Sequence, residues 1–174
     1  KEGLRVSFSG SIAQDSHPSQ LGNPLTHPQV TTDFAESQLE LVTQQFDSIS
    51  GCLDSLHNLH VWVTANLKSQ YLWPASMPCD LQGANINLAK YGSSHLAKLK
   101  EIYRSGLAHR YGSKTQLISG VHYNLSFGEQ FWPAYKQHLL ALHIPGRTMS
   151  GQSIKDFRTS SYLHLVRNFY RYSP

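Results

Sequence analysis

Apolar and polar residues alternate through Leu4-Arg5-Val6-Ser7-Phe8 ahead of the Ser9-Gly10-Ser11 turn cluster, which predicts a half-buried strand over residues 4–8. Residues 13–29 hold Pro18, Gly22, Pro24 and Pro28 among several Ser and Asn, and that density of breakers predicts a loop. From residue 30 to 46 β-branched and aromatic side chains return. Leu39 and Leu41 alternate there with Gln38, Glu40 and Val42, so a strand with a polar face is expected.

The period then changes. Ser48 followed by Ile49, Leu53, Leu56, Leu59, His60 and Val63 at threes and fours predicts a capped amphipathic helix to about residue 67. Trp73-Pro74 and Met77-Pro78 force extended backbone through residues 71–79. Ser93 opens a second helix with Leu96, Leu99, Ile102, Tyr103 and Leu107 on one stripe, and Gly112 ends it. Residues 115–127 alternate again, with Val121, Tyr123 and Leu125 opposed to His122, Asn124 and Ser126, predicting a strand with one chemically equipped face. Two helices, about 129–142 and 153–172, follow on either side of Pro145-Gly146 and Gly151. Short strands, interleaved helices and long loops without regular βαβ units predict an α+β fold on an antiparallel sheet.

Composition narrows this picture. The 174 residues, 40% hydrophobic and 15% charged, suit one domain, residues 1–174. A net charge of +4 with no basic block is weak support for nucleic acid and serves anionic small molecules equally well. No apolar run approaches the roughly 18 residues of a membrane helix, so a soluble, cytoplasmic protein with no membrane partner is expected. Cys52 and Cys79 read as reduced thiols. Lys1 in place of Met, with no leader after it, suggests a processed chain or a piece of a longer one.

Acidic residues are scarce, which makes the positions of Glu2, Asp33, Glu36 and Glu40 informative. All fall on or beside the two N-terminal strand segments, and neighbouring strands lie about 5 Å apart. Carboxylates that close repel and raise one another's pKa unless a hard cation such as Mg²⁺ joins them. Asp33 and Glu40 differ by an odd number, so a regular strand would put them on opposite faces. A shared cation therefore requires a turn or bulge between them; the same residues also suit a solvated sheet face. His122 reads either as a ligand or proton-transfer group or as a hydrogen-bonded structural residue. Walker, dinucleotide-glycine and Gly-x-Ser-x-Gly motifs are missing from the sequence.

Six stretches carry a family resemblance: Glu2-Gly3-Leu4-Arg5-Val6; Thr31-Thr32-Asp33-Phe34-Ala35-Glu36 with Leu39-Glu40; Trp73-Pro74-Ala75-Ser76-Met77-Pro78-Cys79; Tyr103-Arg104-Ser105-Gly106-Leu107; Ile118-Ser119-Gly120-Val121-His122-Tyr123-Asn124; and Val166-Arg167-Asn168-Phe169-Tyr170-Arg171. In this order they resemble the proteobacterial type of glutamate–cysteine ligase, with the match loosening between about residues 127 and 159. The resemblance implies a curved antiparallel sheet with flanking helices, similar to glutamine synthetase. It also implies ATP- and Mg²⁺-dependent (or Mn²⁺-dependent) joining of the L-glutamate γ-carboxylate to L-cysteine through a γ-glutamyl phosphate, the first step of glutathione biosynthesis.

Residue by residue, the resemblance implies metal ligation by Glu2, Asp33 and Glu40 with His122 beside them, and a cysteine pocket shaped by Phe34, Tyr103, Leu107 and Gln116. Arg104 is the candidate for a substrate carboxylate or phosphate. Without the resemblance, Tyr103 and Leu107 on a helix stripe read equally as core. Family members are much longer, and a further metal-binding Glu normally precedes the match to Glu2 by two positions. The chain thus resembles an N-terminal portion that needs the remainder of the ligase as its partner, with negligible turnover alone. The alternative is a non-catalytic amino-acid- or thiol-binding domain that retains the fold.

Overall fold

The computed structural model describes residues 1–81, 83–142 and 151–173. The chain divides into two compact units, Lys1–His122 and Tyr123–Pro174. The first is built on strands β1 (Glu2–Ser7), β2 (Val30–Thr32), β3 (Gln38–Leu41) and β4 (Gln70–Leu72), with helices α1 (Ile49–Asn66) and α2 (His95–Tyr111). The second contains helices α3 (Phe131–Ala141) and α4 (Ile154–Tyr172). The Pro145-Gly146 break expected between those two helices lies outside the described residues.

The sheet runs β2-β3-β1-β4, and each neighbouring pair is antiparallel. Its two faces separate by register. Val30, Leu39 and Leu41 turn toward α1, where they pack with Leu59, Val63 and Leu67. On the opposite face Leu4 and Val6 join Ile12, Phe34, Cys79 and Leu117 in a second cluster. Helix starts follow the sequence: Ser48 Oγ accepts from the Gly51 amide at 3.1 Å, and Ser153 Oγ from the Asp156 amide at 3.1 Å, each relieving an otherwise unpaired first-turn donor. The α2 cap is Ser94, one position after the Ser93 expected to open that helix.

Three expectations change. The single strand over residues 30–46 is a hairpin, β2 and β3, because Asp33 and Gln38 close a turn through the Asp33 N–H to Gln38 carbonyl bond at 3.0 Å. Residues 118–127 belong to no named strand; Val121, Tyr123 and Leu125 are exposed, and alternation alone supplies no neighbour to complete a ladder. The expected apolar stripe of α2 is also outward, with Leu96, Leu99, Ile102 and Tyr103 exposed. What α2 buries is Ala97, whose small side chain lets the helix approach Ala89 and Tyr91 closely.

Candidate functional site

Glu2 on β1 stands directly opposite Glu40 on β3, and Thr31 on β2 stands opposite Glu40 from the other side. Paired residues of an antiparallel ladder share a face. Continuing past Thr31 and Thr32, the turn sets Asp33 against Gln38, two residues from Glu40 and on that same face. The hairpin therefore removes the parity conflict between Asp33 and Glu40, and brings together three of the carboxylates expected to act together.

The electrostatics follow from this crowding. Burial holds the Asp33 carboxyl above its ordinary range, and the neighbouring Glu2 and Glu40 charges push it further the same way; Arg104 and His122 act in opposition. Glu2 is the best anchored of the three. Its Oε2 accepts from the Gly120 amide at 2.7 Å, its own amide donates to the Gly120 carbonyl at 3.0 Å, and its Oε1 lies 3.4 Å from His122 Nε2. A Cβ on Gly120 would stand 3.3 Å from His122 Nε2 and 3.6 Å from Glu2 Oε2, so the glycine leaves room for that pair.

The donor chemistry, carboxylate oxygens plus one imidazole beside mutually repelling charges, fits a hard divalent cation. Among the described residues no three His, Cys, Asp or Glu side chains converge closely enough to hold one ion by themselves. These residues thus offer part of a coordination shell. Glu36, close by in sequence, is engaged otherwise: its carboxylate accepts from the His17 amide at 2.7 Å and the Lys90 amide at 2.9 Å, which fixes backbone.

The other expected residues distribute as follows. Phe34 is buried in the cluster against which Leu107 packs. Tyr103 precedes Leu107 by one helical turn on α2 and is exposed, while Gln116 is half-buried in a short 3-10 turn, Thr115–Leu117, whose Leu117 enters the same core. Arg104 donates from Nε to the Asp33 carbonyl and from Nη1 to the Lys100 carbonyl at 3.1 Å, with its guanidinium 4.8 Å from the centroid of the Tyr91 ring.

The family model for glutamate–cysteine ligase matches residues 1–174. The chain belongs to the glutamate–cysteine ligase family. A glutamate–cysteine ligase from Hahella chejuensis is 47% identical over 175 residues, covering 99% of this chain and 32% of the relative. The corresponding ligase of Pseudomonas aeruginosa PAO1 is 41% identical, over 99% of this chain and 31% of the relative. Among solved structures, the Francisella tularensis glutamate–cysteine ligase in complex with AMP superposes with a TM-score of 0.82 at 33% identity, covering 97% of this chain and 31% of that one. A bifunctional glutathione synthetase from Pasteurella multocida gives 0.81 at 34% identity, over 99% of this chain and 21% of that chain. The chain thus spans about a third of the ligases it matches and carries their glutamine synthetase-like α+β fold. Among the described residues no helix is long and apolar enough to cross a membrane.

Two residues that build this site were not singled out by sequence. Arg5 is fully buried; it donates to the Glu36 carbonyl at 3.0 Å, the Asp15 carbonyl at 2.6 Å and Gln70 Oε1 at 2.7 Å, holding the 13–16 loop against the 33–37 turn. Tyr91 is likewise buried and donates to backbone at Thr32 and Asp33. Nothing local marks either one, because their partners are distant in sequence.

Proposed function

We propose that the polypeptide carrying this chain ligates the γ-carboxylate of L-glutamate to the amine of L-cysteine with ATP, this segment supplying part of the metal site and most of the cysteine pocket. The supporting observation is the placement of Glu2 and Glu40 opposite one another with Asp33 on the same face. Glu2, Asp33, Glu40 and His122 would hold Mg²⁺ or Mn²⁺. Such ions neutralise phosphate charge and orient the transferring phosphoryl group, which is most of what a phosphoryl-transfer enzyme must supply.

The chain's own groups then divide the work. The three carboxylates present negative charge where a cation and its triphosphate dock, and the Gly120 amide keeps Glu2 aimed there. Arg104 holds a positive charge beside Asp33 and is the candidate for meeting a substrate carboxylate or phosphate. ATP transfers its γ-phosphoryl group to a glutamate γ-carboxylate oxygen; the cysteine amine attacks the acyl carbon, phosphate leaves with the C–O bonding pair, and the amine loses a proton. Leu107, backed by the buried Phe34, would give the thiol-bearing substrate an apolar wall, with Tyr103 as a rim and Gln116 supplying an amide. A cytoplasmic setting, where ATP and reduced cysteine occur together, accompanies this reading.

In the full-length protein, Asp33→Asn is expected to abolish most Mg²⁺-dependent phosphate release in the presence of glutamate and cysteine. Wild-type turnover with unchanged Mg²⁺ dependence in that variant would refute the assignment. Residues 1–174 by themselves are expected to show negligible turnover.

A further inference from the structure

Asp33 lies one residue past the end of β2, at the start of the 33–37 turn; its amide still donates to the Gln38 carbonyl at 3.0 Å, but the Gln38 amide donates to the Ala35 carbonyl at 2.9 Å, so the ladder does not hold the Asp33 carbonyl. A metal-binding carboxylate on such a turn needs other supports, since loop segments open locally at low cost. The supports come from residues 87–91, which run alongside the turn. The Glu36 amide donates to the Asn87 carbonyl at 2.9 Å, the Ala89 amide to the Phe34 carbonyl at 3.0 Å, and the Lys90 amide to Glu36 Oε1 at 2.9 Å. Tyr91 completes this lacing through its side chain. Its single hydroxyl proton is shared between the Thr32 carbonyl at 2.6 Å and the Asp33 carbonyl at 3.0 Å, one bifurcated bond that spans both peptide units.

The Asp33 carbonyl also accepts from Arg104 Nε, so both of its lone pairs are taken by side chains that come from outside the hairpin. Those two side chains support each other, with the guanidinium 4.8 Å from the centroid of the Tyr91 ring. Tyr91 itself is only 3% exposed and packs with Ala89, Ala97 and Leu25, so its ring has little freedom to move.

The geometry points to Tyr91 as a positioning residue that, with Arg104, fixes the direction of the Asp33 carboxylate and thereby sets cation affinity. This rests on the reading of Asp33 as a metal ligand. Tyr91 never reaches the ion; it acts on the peptide unit that carries the ligand, as outer partners of metal sites commonly do.

The test is Mn²⁺ binding to the full-length protein without nucleotide, read as free Mn²⁺ by electron paramagnetic resonance, for wild type, Tyr91→Phe, Asp33→Asn and the double variant. Tyr91→Phe keeps the ring under Arg104 and removes only the hydroxyl. Its expected effect is an affinity loss of about 10-fold, with the apparent KM for Mg²⁺ raised and kcat at saturating Mg²⁺ retained. In the Asp33→Asn background the same change is expected to have no further effect. Arg104→Lys, which leaves the hydroxyl in place, is expected to weaken Mn²⁺ binding in the same Asp33-dependent way. An unchanged Mn²⁺ affinity in Tyr91→Phe, or an equal loss in both backgrounds, would overturn the positioning role. An unchanged affinity in Asp33→Asn would instead overturn the ligand reading beneath it.

Discussion

The two faces of the four-stranded sheet obey different rules. Toward α1 the side chains are Val30, Leu39 and Leu41, buried against Leu59 and Val63, and every one of them lowers the free energy of the fold by leaving water. On the other face β1 reads Glu2, Leu4, Val6: apolar along most of its length, then acidic where it meets Glu40 and Asp33. Like charges directly opposite across a ladder destabilise it. The acidic end therefore works against the fold unless a counter-charge joins it, and it is the part of the sheet where selection for stability alone would have placed something else.

Leu39→Ala should be the most damaging change to the fold, removing a fully buried side chain from the α1 face. Denaturant unfolding is expected to show a loss of about 2–5 kcal/mol, with cation affinity of the molecules that remain folded unchanged. Asp33→Asn on the acidic face should reverse that profile. Turnover at fixed Mg²⁺ is expected to fall at least about 100-fold, roughly 2.7 kcal/mol, while the melting temperature of the metal-free protein stays level or rises, because a repelling charge has gone. If both substitutions lowered stability and activity together, the division between faces would not hold.

Glu2→Gln refines the acidic side. The amide oxygen still accepts from the Gly120 N–H, so the backbone contact survives while the charge is lost. A drop of about 10-fold in Mn²⁺ affinity, roughly 1.4 kcal/mol, is expected from titration, smaller than for Asp33.

The remaining expected effects are in pH dependence. Asp33 is held above its ordinary 3.8, chiefly by burial and then by Glu2 and Glu40, so in the metal-free protein the folded state binds the extra proton just above that value. Its contribution to stability is accordingly greatest at low pH and declines as pH rises through its folded value. His17, away from the acidic face, has the opposite slope. Burial and then the charge of Arg5 depress it from 6.5 to about 4, so its contribution is complete above pH 6.5 and is lost as pH falls toward 4. Melting temperature against pH should flatten in the lower window for Asp33→Asn and between about 4 and 6.5 for His17→Gln; interchanged or absent effects would break the contrast.

Much of the scaffold was legible from the chain. A serine cap with threes-and-fours spacing located α1, and the Pro145-Gly146 and Gly151 breaks bounded α4, because these signals are local. Antiparallel pairing followed from the order of the elements. Alternation was less reliable, since it reports extended backbone and not a continuous partner: residues 30–46 turned back on themselves at Asp33 to Gln38, while residues 118–127 form no named strand, although the Gly120 carbonyl accepts from the Glu2 amide of β1. Of the site, Glu2, Asp33, Glu40 and His122 were visible as chemistry on strand-like segments, and the family resemblance gave them roles. The common face of Glu2, Asp33 and Glu40 was not visible until the hairpin register was known. Arg5 and Tyr91 had no local signature, because each is held by carbonyls well beyond a helical or strand period, 10 and 31 residues away for Arg5 and 59 and 58 for Tyr91.

The most direct test of the acidic face as a cation site needs no turnover. Thermal melting of the full-length protein with and without Mn²⁺ at about 100 times its dissociation constant should stabilise wild type by about 2.7 kcal/mol, and Asp33→Asn should show little or none of that gain. An equal gain in both proteins, or none in wild type, would contradict the claim that the acidic face supplies part of a cation site through Asp33.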